Sequence, residues 1–268
     1  APSTPAAPSP GAGAAFDPAV IAAAWPDGCF TIRDAAGRTY ESDPARCALP
    51  RRPYSTFKVP SALIGIDAGL FDGPDAPMTW DAKRLPKQDW WMAAWSQPHT
   101  LRSGMAVSAV PHFQTLALTL GEDRLRAGLA KLDYGNRDIS GGLHRFWLGG
   151  GLRISARQQL ALVDGLARGS LAVSPPAQAI VREITVLARD GDRRLHGKTG
   201  SGSIEDAMDG EGWLVWQVGW IAHAGTVIPY AGWLEVKTGT LDDARAARTE
   251  RIRGTLATLG VFPRTAGR

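Results

Sequence analysis

Strand patterns at both ends of the chain, with helical patterns between them, predict an α/β (α+β) fold. The expected sheet is five-stranded and antiparallel, built from the two termini and flanked by N- and C-terminal helices, with an all-helical lobe inserted. Three observations carry this. "CFTIRDAAGRTY" (29–40) alternates around a turn at Asp34–Gly37 and predicts a hairpin. The runs "GWLVWQVGWIAH" (212–223) and "TVIPYAGWLEV" (226–236) are strand-like and joined by a tight turn at Ala224-Gly225. From about 56 to 190 the signals are mostly helical.

In chain order, "APSTPAAPSPGAGAAFDP" (1–18) is too rich in Pro, Ala, Ser and Gly to bury anything and predicts a disordered lead-in. One domain of two lobes follows over 19–268: a sheet lobe from 19–55 and 190–268, and a helical lobe from 56–189. "LRAGLAKL" (125–132) is amphipathic. "SARQQLALVDGLARG" opens with a capping box, Ser155 and Gln158, and stops on Gly169. "SPPAQAIVREITVLA" takes Ser174 as N-cap with proline in its first turn. "RRLHGKTG" (193–200) returns to strand. "DDARAARTERIRGTLATLG" predicts a last helix, with acids at its start and Gly260 as its stop. No internal repeat is present.

The 268 residues are 44% apolar and 21% charged, an ordinary globular balance. The net charge is +4, but the longest basic runs are pairs such as Arg51-Arg52, whereas a nucleic-acid groove needs a clustered stripe. No apolar run approaches the roughly 20 residues that cross a bilayer. A start at Ala1 suits a mature exported chain, bacterial and periplasmic or secreted, or a trimmed piece of one. Cys29 and Cys47, eighteen positions apart, could close one disulfide in an oxidising compartment or remain two buried thiols.

The chemistry centres on "RPYSTFKVPS" (52–61), which sets Ser55 three residues before Lys58. A lone Ser-x-x-Lys is weak; with fourteen serines and six lysines, chance supplies one in roughly one chain in four. On a helical turn, however, i and i+3 share a face, so the amine reaches the hydroxyl. A serine at a helix start also has backbone N–H groups beside it for an oxyanion. Pro60 predicts a kink or a tight first turn. Other catalytic patterns fail on spacing. No H-E-x-x-H or G-x-S-x-G occurs, and His99, His112, His144, His196 and His223 show no metal-ligand spacing, so no metal is expected. Gly191 lies one position too far from Gly197 for a phosphate loop.

Three further motifs follow in order: "SAV" (Ser108-Ala109-Val110), "YGN" (Tyr134-Gly135-Asn136) and "KTG" (Lys198-Thr199-Gly200). With "STFK" they resemble the penicillin-recognising serine enzymes. Val110, the "YGN" and "FWLGGGLRISARQQ" (146–159) are similar to the class D branch, the oxacillinases, over nearly all of residues 25–265. "KTG" recurs at Lys237-Thr238-Gly239, at the end of the last predicted strand, where it reads as a solvated strand end. The first copy, with a strand leading into it, is the one that matches.

The resemblance implies a β-lactamase of serine β-lactamase/penicillin-binding-protein architecture, acting on penicillins of the oxacillin type. Ser55 would be the nucleophile. Lys58 would react with CO₂ to an N-carboxylated lysine that acts as general base; no other cofactor is implied beyond CO₂ or bicarbonate. An apolar pocket, which Val110 helps to dry, would favour the neutral amine that carboxylation needs. The Trp147 indole N–H would donate to the carbamate, Ser108 would relay a proton to the lactam nitrogen, and the backbone N–H groups of Ser55 and Ser201 would form the oxyanion hole. Tyr134, Asn136, Thr199, Gly200, Ser201 and Arg248 would bind substrate, with Lys198 and Arg248 on its carboxylate; Arg245 is a close rival for that arginine. Trp91 and Trp95 read as packing. "EGWLVWQVGW" is longer than the family's strand and predicts an altered pocket edge. The partner is thus a small β-lactam, not nucleic acid or membrane, and oligomeric state is not legible. The alternatives are a β-lactam sensor domain that stays acylated, or a peptidoglycan transpeptidase or carboxypeptidase.

Overall fold

The computed structural model describes residues 15–204 and 212–266. Helix α1 (Pro18–Ala24) opens the described chain, with the Asp17 carboxylate accepting from the Ala19 N–H. The lead-in therefore ends earlier than expected. Residues 1–14 lie outside the described residues, but Phe16 is buried with its ring 5.4 Å from that of Tyr40. An aromatic after a run of alanine and glycine gives the segment something to bury.

Strands β1 (Gly28–Arg33) and β2 (Thr39–Glu41) form the expected hairpin. The short helix α2 (Pro44–Ala48) follows, and a disulfide joins its Cys47 to Cys29 of β1. Closing a loop of this length stabilises the fold by about 3 kcal/mol in the chain-entropy account. A 3₁₀ turn (Tyr54–Phe57) leads into α3 (Lys58–Asp67), where Pro60 sits in the first turn and its missing N–H costs no hydrogen bond. A ribbon of β3 (Pro77–Met78) and β4 (His99–Thr100) precedes α4 (Leu101–Val107), α5 (Val110–Lys131), α6 (Ala156–Arg168) and α7 (Pro175–Ile184). The inserted lobe is thus mainly, not wholly, helical. The Ser155–Gln158 capping box and the left-handed Gly169 stop delimit α6. Ser174 stands at the N-cap of α7, but its side chain makes no capping bond; its N–H donates to Asp67 instead.

The chain returns to the sheet through β5 (Val186–Asp190), β6 (Arg193–Ser203), β7 (Trp213–His223) and β8 (Thr226–Val236), and ends in α8 (Leu241–Thr258). The sheet has six strands rather than five, in the order β2-β1-β8-β7-β6-β5, and every neighbour is antiparallel. The extra strand is β5, whose residues read as the end of α7. Thr185 is the C-cap of that helix, and its hydroxyl donates to the Val181 and Arg182 carbonyls.

Both faces of the sheet are covered, which explains the near-continuous apolar run of β7. Leu214, Trp216, Val218 and Trp220 join the core under the helical lobe, while Val215 and Ile221 face the core under α1 and α8. Ala244, Arg248, Ile252 and Leu256 line the inner face of α8 at four-residue steps.

Candidate active site

The 3₁₀ turn bearing Ser55 is pressed against β6. Its first residue, Tyr54, has φ +48°, a left-handed conformation that costs a non-glycine residue about 1–3 kcal/mol and needs holding. The Tyr54 hydroxyl donates to the Ser203 carbonyl, and the Trp216 indole donates to the Arg52 carbonyl at 3.0 Å. From behind, Gln159 of α6 donates to Thr56 Oγ1 at 2.8 Å and to the Tyr134 hydroxyl at 3.4 Å. Close approach of turn and strand depends on missing side chains. A Cβ on Gly200 would lie 2.7 Å from the Pro53 carbonyl oxygen, and one on Gly202 would lie 2.0 Å from the Tyr54 ring.

Lys58 Nζ is 2.8 Å from Ser55 Oγ and donates to it. The lysine is fully buried, with its amine 5.4 Å from the centre of the Phe113 ring. Burial first, and the Lys198 charge second, hold that amine well below the ordinary lysine range. Lys198 is itself buried and comes down to about 7, through burial and then the nearby Arg248 charge. A row of cations thus runs inward from Arg248 to Lys198 to Lys58, each weakening the next one's hold on its proton. An anion introduced at the inner end would be stabilised by the same row.

Among the buried polar atoms with no hydrogen-bond partner are Trp147 Nε1, Ser108 Oγ and, in the row itself, Arg248 Nε. Trp147 is completely buried, its ring 5.1 Å from Phe57 and 5.0 Å from Phe146. Ser108 caps α4 in a left-handed conformation, φ +59°. Val110, beside it, is buried with Ala109, Trp91 and Trp95.

The sheet side supplies an exposed strand edge. Beyond the pairing of Val186 with His196, β6 has no strand on its β5 side. Gly197 N–H points to that side, donating to the Thr185 carbonyl at 2.8 Å. Strand N–H groups alternate and the register with β7 is unbroken through Ser203, so Ser201 N–H points the same way, toward the Ser55 turn.

A cavity of about 1010 Å³ opens over this arrangement. Ser55, Ser108, Val110, Lys198, Thr199, Gly200, Ser201, Arg245 and Arg248 all line it. The two rival arginines differ in their partners. Arg245 is held by Asp242 at 2.9 Å, whereas Arg248 is buried and reaches Ser201 Oγ at 3.4 Å. Arg248 is therefore the better placed to meet a carboxylate. Two expected substrate contacts are not in the cavity. Tyr134 is buried behind the turn, edge-on to Phe57 at 5.8 Å. Asn136 spends its amide on the loop, donating to the Gly151 carbonyl and accepting from the Asp138 and Arg153 N–H groups. Both brace the site instead of facing a ligand. Trp91 and Trp95 are buried as expected, yet they also wall the cavity. Trp90, Met92, Arg84 and Arg145 are among the lining residues that no sequence motif marked. Adjacent tryptophans in a stretch without helical or strand period were the available signal for the first two.

The fold and this site fall in the class of penicillin-binding transpeptidase domains, whose family model matches residues 39–253. Among proteins of known name, the chain is 36% identical over 208 residues to beta-lactamase OXA-10 of Pseudomonas aeruginosa, covering 76% of this chain and 75% of that one. It is 34% identical to beta-lactamase OXA-48 of Klebsiella pneumoniae, over 75% and 72%. The crystal structure of FUS-1 (OXA-85), a class D beta-lactamase from Fusobacterium nucleatum subsp. polymorphum, superposes with a TM-score of 0.79 at 28% identity, over 88% of this chain and 93% of that one. The chain belongs to the class D β-lactamases.

Proposed function

We propose that this enzyme hydrolyses β-lactams through an acyl-enzyme on Ser55, with Lys58, N-carboxylated, as the general base. The observation that carries the reading is the buried Lys58 amine, 2.8 Å from Ser55 Oγ, with its hold on a proton weakened first by burial and then by Lys198. Carboxylation requires a neutral amine. The unpartnered Trp147 Nε1 and Ser108 Oγ are of the type a buried carbamate needs for hydrogen bonds. Carboxylated by CO₂, Lys58 carries an anionic oxygen base within reach of the serine hydroxyl.

The remaining steps belong to the chain's own groups. Ser55 Oγ gives its proton to the base on Lys58 and attacks the lactam carbonyl carbon. The carbonyl oxygen, now anionic, accepts from the Ser55 and Ser201 backbone N–H groups. The C–N bond breaks, and the ring nitrogen takes a proton by way of Ser108. A water then gives its proton to the same base and attacks the Ser55 ester, and Ser55 leaves with that proton. The substrate carboxylate sits on Lys198, Thr199 and Arg248, of which Arg248 stays cationic at neutral pH although burial brings it to about 10. The Cys29–Cys47 disulfide suits an exported enzyme of an oxidising compartment.

The test is nitrocefin turnover with and without added bicarbonate. Many turnovers per molecule, with activity lost at low pH in CO₂-free buffer and regained on adding bicarbonate, are expected. Lys58→Ala should lower turnover by about 10²–10⁴-fold. One stoichiometric burst followed by silence would make the protein an acylated sensor instead. A wild-type spectrum without a carbamate signal after ¹³C-bicarbonate labelling would refute the modified base.

A further inference from the structure

Among the described residues, the charged side chains that line the cavity are all basic. Apart from Arg52, beside the Ser55 turn, the cations fall into two groups on opposite lobes. Lys198, Arg245 and Arg248 come from the sheet lobe and α8. Arg84 and Arg145, with His144 between them in character, come from the loops of the helical lobe. Those loops are close enough for both arginines to act on His144, whose pKa is lowered by burial first, then by Arg145 and Arg84. Among the described residues neither Arg84 nor Arg145 has an ion-pair partner, in contrast to Arg245 with Asp242. Apolar side chains, Leu85 and Leu148, share that wall with them.

A β-lactam has a built-in direction. Its ring carboxylate lies on one side of the reactive carbonyl, and its amide side chain leaves on the other. If the ring carboxylate meets Lys198 and Arg248, as the proposed function has it, the side chain extends toward the helical-lobe wall. The two arginines there have no role in binding the first carboxylate. We infer that the wall formed by Arg84, His144 and Arg145 is a second anion subsite, and that the enzyme favours dianionic β-lactams, those with a further carboxylate on the side chain. This rests on the proposed β-lactam hydrolysis and adds its substrate class.

Carbenicillin and benzylpenicillin differ by one side-chain carboxylate, so the ratio of their kcat/KM values isolates the effect. Partly exposed ion pairs contribute about 0.2–1 kcal/mol each, or roughly 1.4- to 5-fold. Two arginines should give carbenicillin an advantage of about 2- to 25-fold at low ionic strength. The advantage should shrink toward unity in 0.5 M salt, where exposed charges are screened. Arg145→Gln and Arg84→Gln, both at exposed positions, should each lower the ratio, and the double variant should bring it near one. A wild-type ratio at or below one, or a ratio indifferent to both substitutions, overturns the inference. Absence of turnover with either penicillin would instead defeat the proposed function, and the two failures are distinguishable in one experiment.

Discussion

The same tripeptide, Lys-Thr-Gly, occurs at 198–200 and at 237–239, and the two copies have little else in common. Lys198 is buried on a central strand with its pKa brought down to about 7, whereas Lys237 is exposed just past the end of β8. The glycines differ as well. Gly200 is required because the Ser55 turn leaves no room for a Cβ. Gly239 has φ +91° and turns the chain toward Thr240, the N-cap of α8, while its carbonyl accepts from the Trp213 indole at 3.1 Å. One glycine provides clearance and the other conformation. A motif thus has chemical meaning only through the element that holds it.

The contrast can be tested by pairing substitutions. Lys198→Ala should lower kcat/KM by at least about 30-fold, since losing one partner of a buried charge pair costs about 2–5 kcal/mol. Lys237→Ala should stay within about twofold in the same assay, as exposed surface changes do. Equal losses would mean that both copies serve the reaction. Gly200→Ala comes next: it pushes on Pro53 and Ser55, and a displacement of about 1 Å at the nucleophile costs on the order of 100-fold in rate. Gly239→Ala should leave the rate alone and lower stability by about 1–3 kcal/mol, read as a drop in Tm.

The smallest effect is in the pH profile. Lys198 loses its proton as pH rises through about 7, so its attraction for a carboxylate is present below that pH and fades above it. The kcat/KM value, which reports the free enzyme, should therefore fall on the alkaline side. On the acid side it should fall as Lys58 gains a proton and can no longer be carboxylated. Lys198→Arg should push the alkaline limb upward, because arginine keeps its charge. Lys237→Ala should leave the limb where it is.

The copy that lines the cavity could be chosen from the sequence because a strand leads into 198 while 237 follows the end of one. Ser55 and Lys58 were legible for a similar reason, since their spacing on a turn fixes their separation. Arg248 and Arg245 were not separable by sequence, because the Ala/Arg repeat of α8 leaves the register open. In the structure they differ in burial, Arg248 lying on the inner face of α8 and Arg245 pairing with Asp242 outside it. Strand β5 was missed where Ile184, Val186 and Leu187 suit either period, so the run itself does not mark the end of α7 at Thr185. Tyr134 and Asn136 were read as substrate contacts, but neither lines the cavity; motif membership does not say whether a side chain faces a ligand or holds a loop. The cationic wall was also hidden, since Arg84 and Arg145 are distant in sequence and meet only across a cavity.

The glycines of β6 have a consequence for how the enzyme can change. Around Gly200 and Gly202 the volume that a side chain would need already belongs to the Ser55 turn and to Tyr54. A side chain added there displaces the turn before it can line the cavity, so variation in the cavity's shape is left to the opposite bank, where Trp90 and Met92 are exposed.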